Sequence, residues 1–89
     1  MQSWIRPVDV ISLTTTEGEL KPLRLRLEEH EQYVRINIRD VVNVKEIPYV
    51  GVEAKIFTCR AEIYGRDCMI ELKYSIPNHN WTLLGKVYG

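Results

Sequence analysis

The sequence predicts an all-β domain, a small antiparallel barrel or strongly curled sheet of five to six strands. Two observations carry most of this expectation. Nine Val, nine Ile and five Thr give 23 β-branched residues against only two Ala, and branching at Cβ favours the pleated backbone over the helix. Apolar residues also recur with period two, as in Leu23, Leu25 and Leu27 alternating with Arg24, Arg26 and Glu28, which gives a strand one dry and one wet face. A third observation is negative: no segment sustains a 3.6-residue apolar period for three turns. With 89 residues the chain is read as one domain spanning residues 1–89.

The elements follow in order. A first strand over residues 8–14 has two competing inward phases, Val8 with Val10 or Ile11 with Leu13. Thr15-Thr16-Glu17-Gly18 leads into a second strand, which pairs with a third across Glu29-His30-Glu31-Gln32. That loop sets Leu27 opposite Val34, Leu25 opposite Ile36 and Leu23 opposite Ile38, with Arg26 opposite Arg35 and Arg24 opposite Asn37 on the outer face. Residues 40–46 suit a strand better than a short helix, because three valines in four positions disfavour helix. In the fourth strand the apolar phase changes from Val52, Ala54 and Ile56 to Phe57, Cys59 and Ala61, which suggests a bulge near residues 56–57 or a bend that lets the strand serve two sheet faces. Gly65-Arg66, read as a two-residue turn with glycine first, sets Ile63 opposite Cys68 and Phe57 opposite Tyr74. A loop of Pro77-Asn78-His79-Asn80 then sets Ile76 opposite Trp81 and Tyr74 opposite Leu83. Such a set of short strands with one bent member closes into a barrel, for which an SH3-like arrangement is favoured over an OB-like one.

Composition narrows the function classes. Twelve Lys/Arg balance twelve Asp/Glu, and the two halves are balanced as well, which argues against a polycationic nucleic-acid tail or a basic membrane-surface helix. The first residues lack the apolar core of a secretory signal, and no apolar run reaches the ~18 residues of a membrane span. Only two cysteines are present, so a cytoplasmic location is expected.

Most of the chain resembles a group of short uncharacterised bacterial all-β proteins with an SH3-like barrel. The residues concerned are Trp4-Ile5-Arg6-Pro7-Val8-Asp9-Val10, Pro22-Leu23-Arg24-Leu25-Arg26-Leu27-Glu28, Phe57 with Cys59, Glu71-Leu72-Lys73-Tyr74, and Trp81 with Leu83. The resemblance implies a small cytoplasmic β domain and assigns no catalytic or binding residue.

Chemistry-bearing residues are sparse. Cys59 and Cys68 fall roughly 13 Å apart on one face at strand rise, too far for a disulfide. His30 and His79 sit in loops without cysteines at zinc spacing, so no metal or cofactor is expected. The serines form no Ser-His-Asp order, the glycines form no phosphate loop, and enzyme activity is not expected. Two surfaces remain. Arg24, Arg26, Arg35 and Arg39, with Asn37 among them and Tyr33 at one end, form a platform for phosphates or a stacked base; the competing reading is a solvated face offset by Glu28, Glu29 and Glu31. Arg60 opposite Glu71, with Lys86 beyond, reads as ordinary surface pairing. The apolar loop holding Ile47, Tyr49 and Val50 either caps a barrel end, the favoured reading, or presents a contact patch. Trp4 either lies across the barrel or anchors a partner. The expected function is a protein-interaction or structural module, with homodimerisation by strand-edge pairing as one form of it. The alternative is weak nucleic-acid binding through the arginine face.

Overall fold

The structure, a computed structural model, describes residues 5–87. Six antiparallel strands close into a barrel in chain order: β1 (Arg6–Thr14), β2 (Leu20–Glu29), β3 (Gln32–Ile47), β4 (Ala54–Ile63), β5 (Arg66–Ser75) and β6 (Asn80–Val87). The all-β expectation therefore holds, and residues 40–46 are strand. Among the described residues no helix is long and apolar enough to cross a membrane.

Each strand joins the next through a short connection, so the loops alternate between two ends of the barrel. The upper end carries the β1–β2, β3–β4 and β5–β6 loops. The lower end carries the β2–β3 and β4–β5 turns, the start of β1 and the end of β6. Closure comes from a short seam in which Arg6 pairs with Leu83, Pro7 with Thr82 and Val8 with Trp81. The other five ladders join strands adjacent in sequence.

The core is built from alternate residues of five strands. Leu25 and Leu27, Val34 and Ile36, Phe57, Cys59 and Ala61, Ile70 and Leu72, and Trp81 and Leu83 are buried together. β1 contributes only the half-buried Val8 and Val10, which settles its inward phase and leaves Ile11 and Leu13 exposed. Trp81 packs at 5.4 Å from the Phe57 ring and 4.9 Å from Tyr74, and tilted pairs at this distance add to simple area burial. No buried side chain among the described residues is polar or charged, so the core carries no polar desolvation cost.

The β2–β3 hairpin has the expected register from Glu29↔Gln32 to Arg24↔Asn37. Three other expectations need correction. Leu23 does not face Ile38: a shift of register opposite Ile11 and Ser12 leaves it unpaired with β1 and 45% exposed, and Pro22 takes the buried position. A bulged residue has no partner and re-aims the strand, which breaks the alternation that the sequence shows. The β4–β5 turn is centred on Tyr64-Gly65, so Ile63 pairs with Arg66 and Phe57 with Leu72. Both central residues have positive φ, 52° and 76°, as a type I′ turn requires. The β5–β6 loop is likewise one residue earlier than expected, with Tyr74 opposite Trp81 and Ile76 exposed.

Strand β4 pairs with β5 without a break through residues 54–63, so the bulge expected near residues 56–57 is absent there. The irregularities lie in β3 instead, at Arg39 and Val42. These two extra residues bend the 16-residue strand so that its first half pairs with β2 and its second half leaves β2 behind.

Candidate functional site

The outer face of β1, β2 and β3 is where the arginines gather. Arg26 stands opposite Arg35 and Arg24 opposite Asn37, because outward positions recur at every second residue on each strand. With Asp9 and Ile11 from β1 they line a shallow depression of about 640 Å³. Asp9 neutralises one of them: Arg26 Nε donates to Asp9 Oδ2 at 3.1 Å. The same guanidinium lies 4.5 Å above the centre of the Tyr33 ring, a favourable cation–π distance. Arg24 and Arg35 form no ion pair among the described residues. Three guanidinium groups against one carboxylate leave a local charge of +2 on a chain of zero net charge.

Arg39 is not part of this cluster. The bulge at its position turns it toward β4 and β5, where it bonds Glu62 and, at 3.0 Å, Asp67 Oδ1. The row expected on the later strands is also rearranged. Arg60 stands opposite Met69 and lies 3.8 Å from Asp40 across β3, while Glu71 is opposite Thr58 and Gly85. Exposed pairs of this kind contribute little to stability.

The second surface is the β3–β4 hairpin at the upper end. The β2–β3 ladder stops at Asn37, whereas β3 continues to Ile47 paired only with β4. One edge of the projecting hairpin is therefore open. Its tip turns at Gly51, whose φ of 87° suits the third position of a type II turn, with Val52 N donating to Tyr49 O at 3.0 Å. A hydrogen bond from Ile76 N to Glu53 O ties the end of the tip loop to the β5–β6 loop. Ile47 is half-buried, but Tyr49 is 70% and Val50 95% exposed. The expected capping role therefore fails for Tyr49 and Val50, whose side chains are left to solvent. Val42, Val44 and Val52 on the same hairpin are exposed as well. Trp4 lies outside the described residues.

Both cysteines are free, Cys59 in the core and Cys68 half-buried. Burial, reinforced by the nearby Asp40 carboxylate, pushes the Cys59 thiol up to about 12. Burial also raises Cys68, against an opposing pull from Lys86. Neither is a ready nucleophile, since the thiolate is the reactive form. His79 Nδ1 lies 3.2 Å from the Tyr74 hydroxyl, and among the described residues no three His, Cys, Asp or Glu side chains converge to hold a metal. Sequence reasoning missed a third grouping: the lower end brings Arg6, His30, Tyr64 and Lys86 to one opening. These residues are scattered along the chain, and only barrel closure places them together.

Comparison with protein-family models, curated proteins and solved structures finds no match.

Proposed function

We propose that this chain is a cytoplasmic protein-interaction module without catalytic chemistry, and that the β3–β4 hairpin is its contact element. The observation that carries the reading is the pair Tyr49 and Val50, both exposed at a hairpin tip whose β3 edge is unpaired by β2. An exposed aromatic beside aliphatic residues supplies the kind of anchor that dominates interface energetics. Backbone donors and acceptors along Val44–Ile47 can extend a ladder into a partner strand. Beyond the bulges at Arg39 and Val42 the strand is regular from Asn43 to Ile47. The partner to test first is a second copy, because zero net charge removes the repulsion that keeps copies apart.

Light scattering from about 10 μM to 1 mM is expected to show self-association that the double variant Tyr49→Ser/Val50→Ser weakens about tenfold or more. The same variant should leave stability within about 0.5 kcal/mol of the parent, since neither side chain is buried. A monomer across that range, together with no specific adduct from a photo-cross-linker at Val50, would sink the reading.

A second reading rests on Arg24 and Arg35, unpaired at the rim of the depression between β1 and β3. Such a pair suits two neighbouring phosphates of a single strand, with the Tyr33 ring available for stacking. Single-stranded oligonucleotides are expected to bind at low salt with a logarithmic salt slope that falls by about 1.4 in Arg24→Ala/Arg35→Ala, two phosphate contacts at ~0.7 each. Binding that is unaffected by salt, or by the substitutions, removes this reading.

A further inference from the structure

At the lower end the barrel interior opens into a cavity of about 460 Å³. Its floor is made by core residues Leu27, Ile36, Ile70 and Leu83. Arg6 from the start of β1 and Lys86 from the end of β6 stand on the rim with Glu29, while His30 and Tyr64, both exposed, flank the opening from the two turns. A concave, apolar-floored pocket with a few convergent polar groups is the usual form of a small-molecule site, and barrel mouths are a preferred place for one.

The backbone supplies an independent observation. Four non-glycine residues with positive φ occur among those described, and three of them, His30 at 51°, Glu31 at 65° and Tyr64 at 52°, occupy the two turns at this end. Left-handed backbone is costly for side chains with a Cβ, and Asn-Gly or Asp-Gly would form either type I′ turn more cheaply. Strain of this kind concentrates at functional positions. Here His30 and Tyr64, each held in that conformation, both line the cavity.

We propose that the lower mouth binds a small monocarboxylate with an apolar body, such as a medium-chain alkyl or aromatic carboxylic acid. The apolar body rests on the Leu27–Leu83 floor, and the carboxylate meets Arg6, whose planar fork matches its two oxygens, with Lys86 beside it. Glu29 on the same rim disfavours a dianion such as a phosphate monoester. The site lies at the opposite end of the barrel from the hairpin tip, so it stands or falls independently of the interaction reading.

The test is a titration of the ¹⁵N-labelled full chain, followed by amide shifts, with octanoate and benzoate, and with octanol and octyl phosphate as comparators. Saturable shifts confined to the amides around His30, Tyr64 and Gly85 are expected for the carboxylates, with affinity about tenfold weaker for octanol and for the Arg6→Gln variant. Tyr64→Asn creates the favoured Asn-Gly turn, so it should raise Tm by several degrees while weakening octanoate binding. A purely structural role for Tyr64 would not couple a gain in stability to a loss of binding. Shifts that scatter over the surface or fail to saturate by about 5 mM, equal affinity for octanol, tighter binding of octyl phosphate, or an Arg6→Gln variant that binds like the parent would each overturn the proposal.

Discussion

Phe57→Ala is expected to cost about 3–5 kcal/mol, the usual range for removing a buried phenyl ring. Phe57 is 1% exposed, stands between its cross-strand partners Val44 and Leu72, and packs against Trp81. The surrounding core relaxes only partly around such a deletion, so the cavity term adds to the lost transfer energy. A domain of this length has roughly 4–13 kcal/mol of stability in all. The substitution therefore removes a large fraction of it, and the fall in Tm should exceed about 12 °C at 4 °C or more per kcal/mol. Urea denaturation followed by far-ultraviolet circular dichroism checks this directly. A loss under about 1 kcal/mol would show that the ring does not fill the barrel centre.

Alkaline pH should destabilise the domain through Cys59. An unperturbed thiol ionises near 9, whereas burial raises this one to about 12. The sign follows from proton uptake: above pH 9 the unfolded chain releases the proton while the folded barrel retains it, so the unfolded state gains. Stability is whole below pH 9 and falls by up to about 1.4 kcal/mol per unit as pH rises toward 12, a loss on the order of 3–4 kcal/mol if the full interval is traversed. Tyrosines and lysines titrate in the same window, so the informative quantity is a difference. Urea midpoints of the parent and of Cys59→Ala, measured from pH 7 to 11, should converge as pH rises, because the variant lacks the thiol. Parallel curves would show that the thiol ionises without penalty in the folded state. Cys68, still present in the variant, contributes equally to both.

The parts of this fold that could be read from the sequence are those where local pattern and local geometry agree. The β2–β3 hairpin was legible in its register from Arg24↔Asn37 to Leu27↔Val34, since Leu25 and Leu27 on one side and Val34 and Ile36 on the other admit a single pairing; the loop expected over residues 29–32 tightens to two residues, and the Leu23–Ile38 pair does not form. The β4–β5 pairing was legible only in its faces. Gly65 is the natural first residue of a type II′ turn, but the backbone uses it as the second residue of a type I′ turn with Tyr64 strained beside it. That displaces every pair by two residues and, because the side-chain period is also two, leaves the inward set unchanged.

Bulges were the main loss. Nothing in the side chains of Leu23, Arg39 or Val42 marks them as extra residues, because a bulge answers to the curvature of the whole barrel. The consequence reaches the candidate sites. Arg24, Arg26, Arg35 and Asn37 lie on regular stretches and were grouped correctly, whereas Arg39 sits on a bulge and is drawn to Glu62 and Asp67. The exposure of Tyr49 and Val50 depended on β3 outrunning β2, which is a statement about two strands at once. Arg6 and Lys86 at the lower opening depend on closure between the first and last strands, the longest-range pairing in the molecule.

That closure also orders events in time. Five of the six ladders form between neighbours in the chain, each closing a short loop, while the seam from Arg6↔Leu83 to Val8↔Trp81 joins residues separated by most of the sequence. The entropy of loop closure grows with the length enclosed, and only three residue pairs among those described hold the seam. A curled sheet therefore assembles first and becomes a cylinder only when its two ends meet. In the reverse direction the seam is where the cylinder parts, so exchange of the Arg6 and Val8 amides should report barrel opening well before global unfolding.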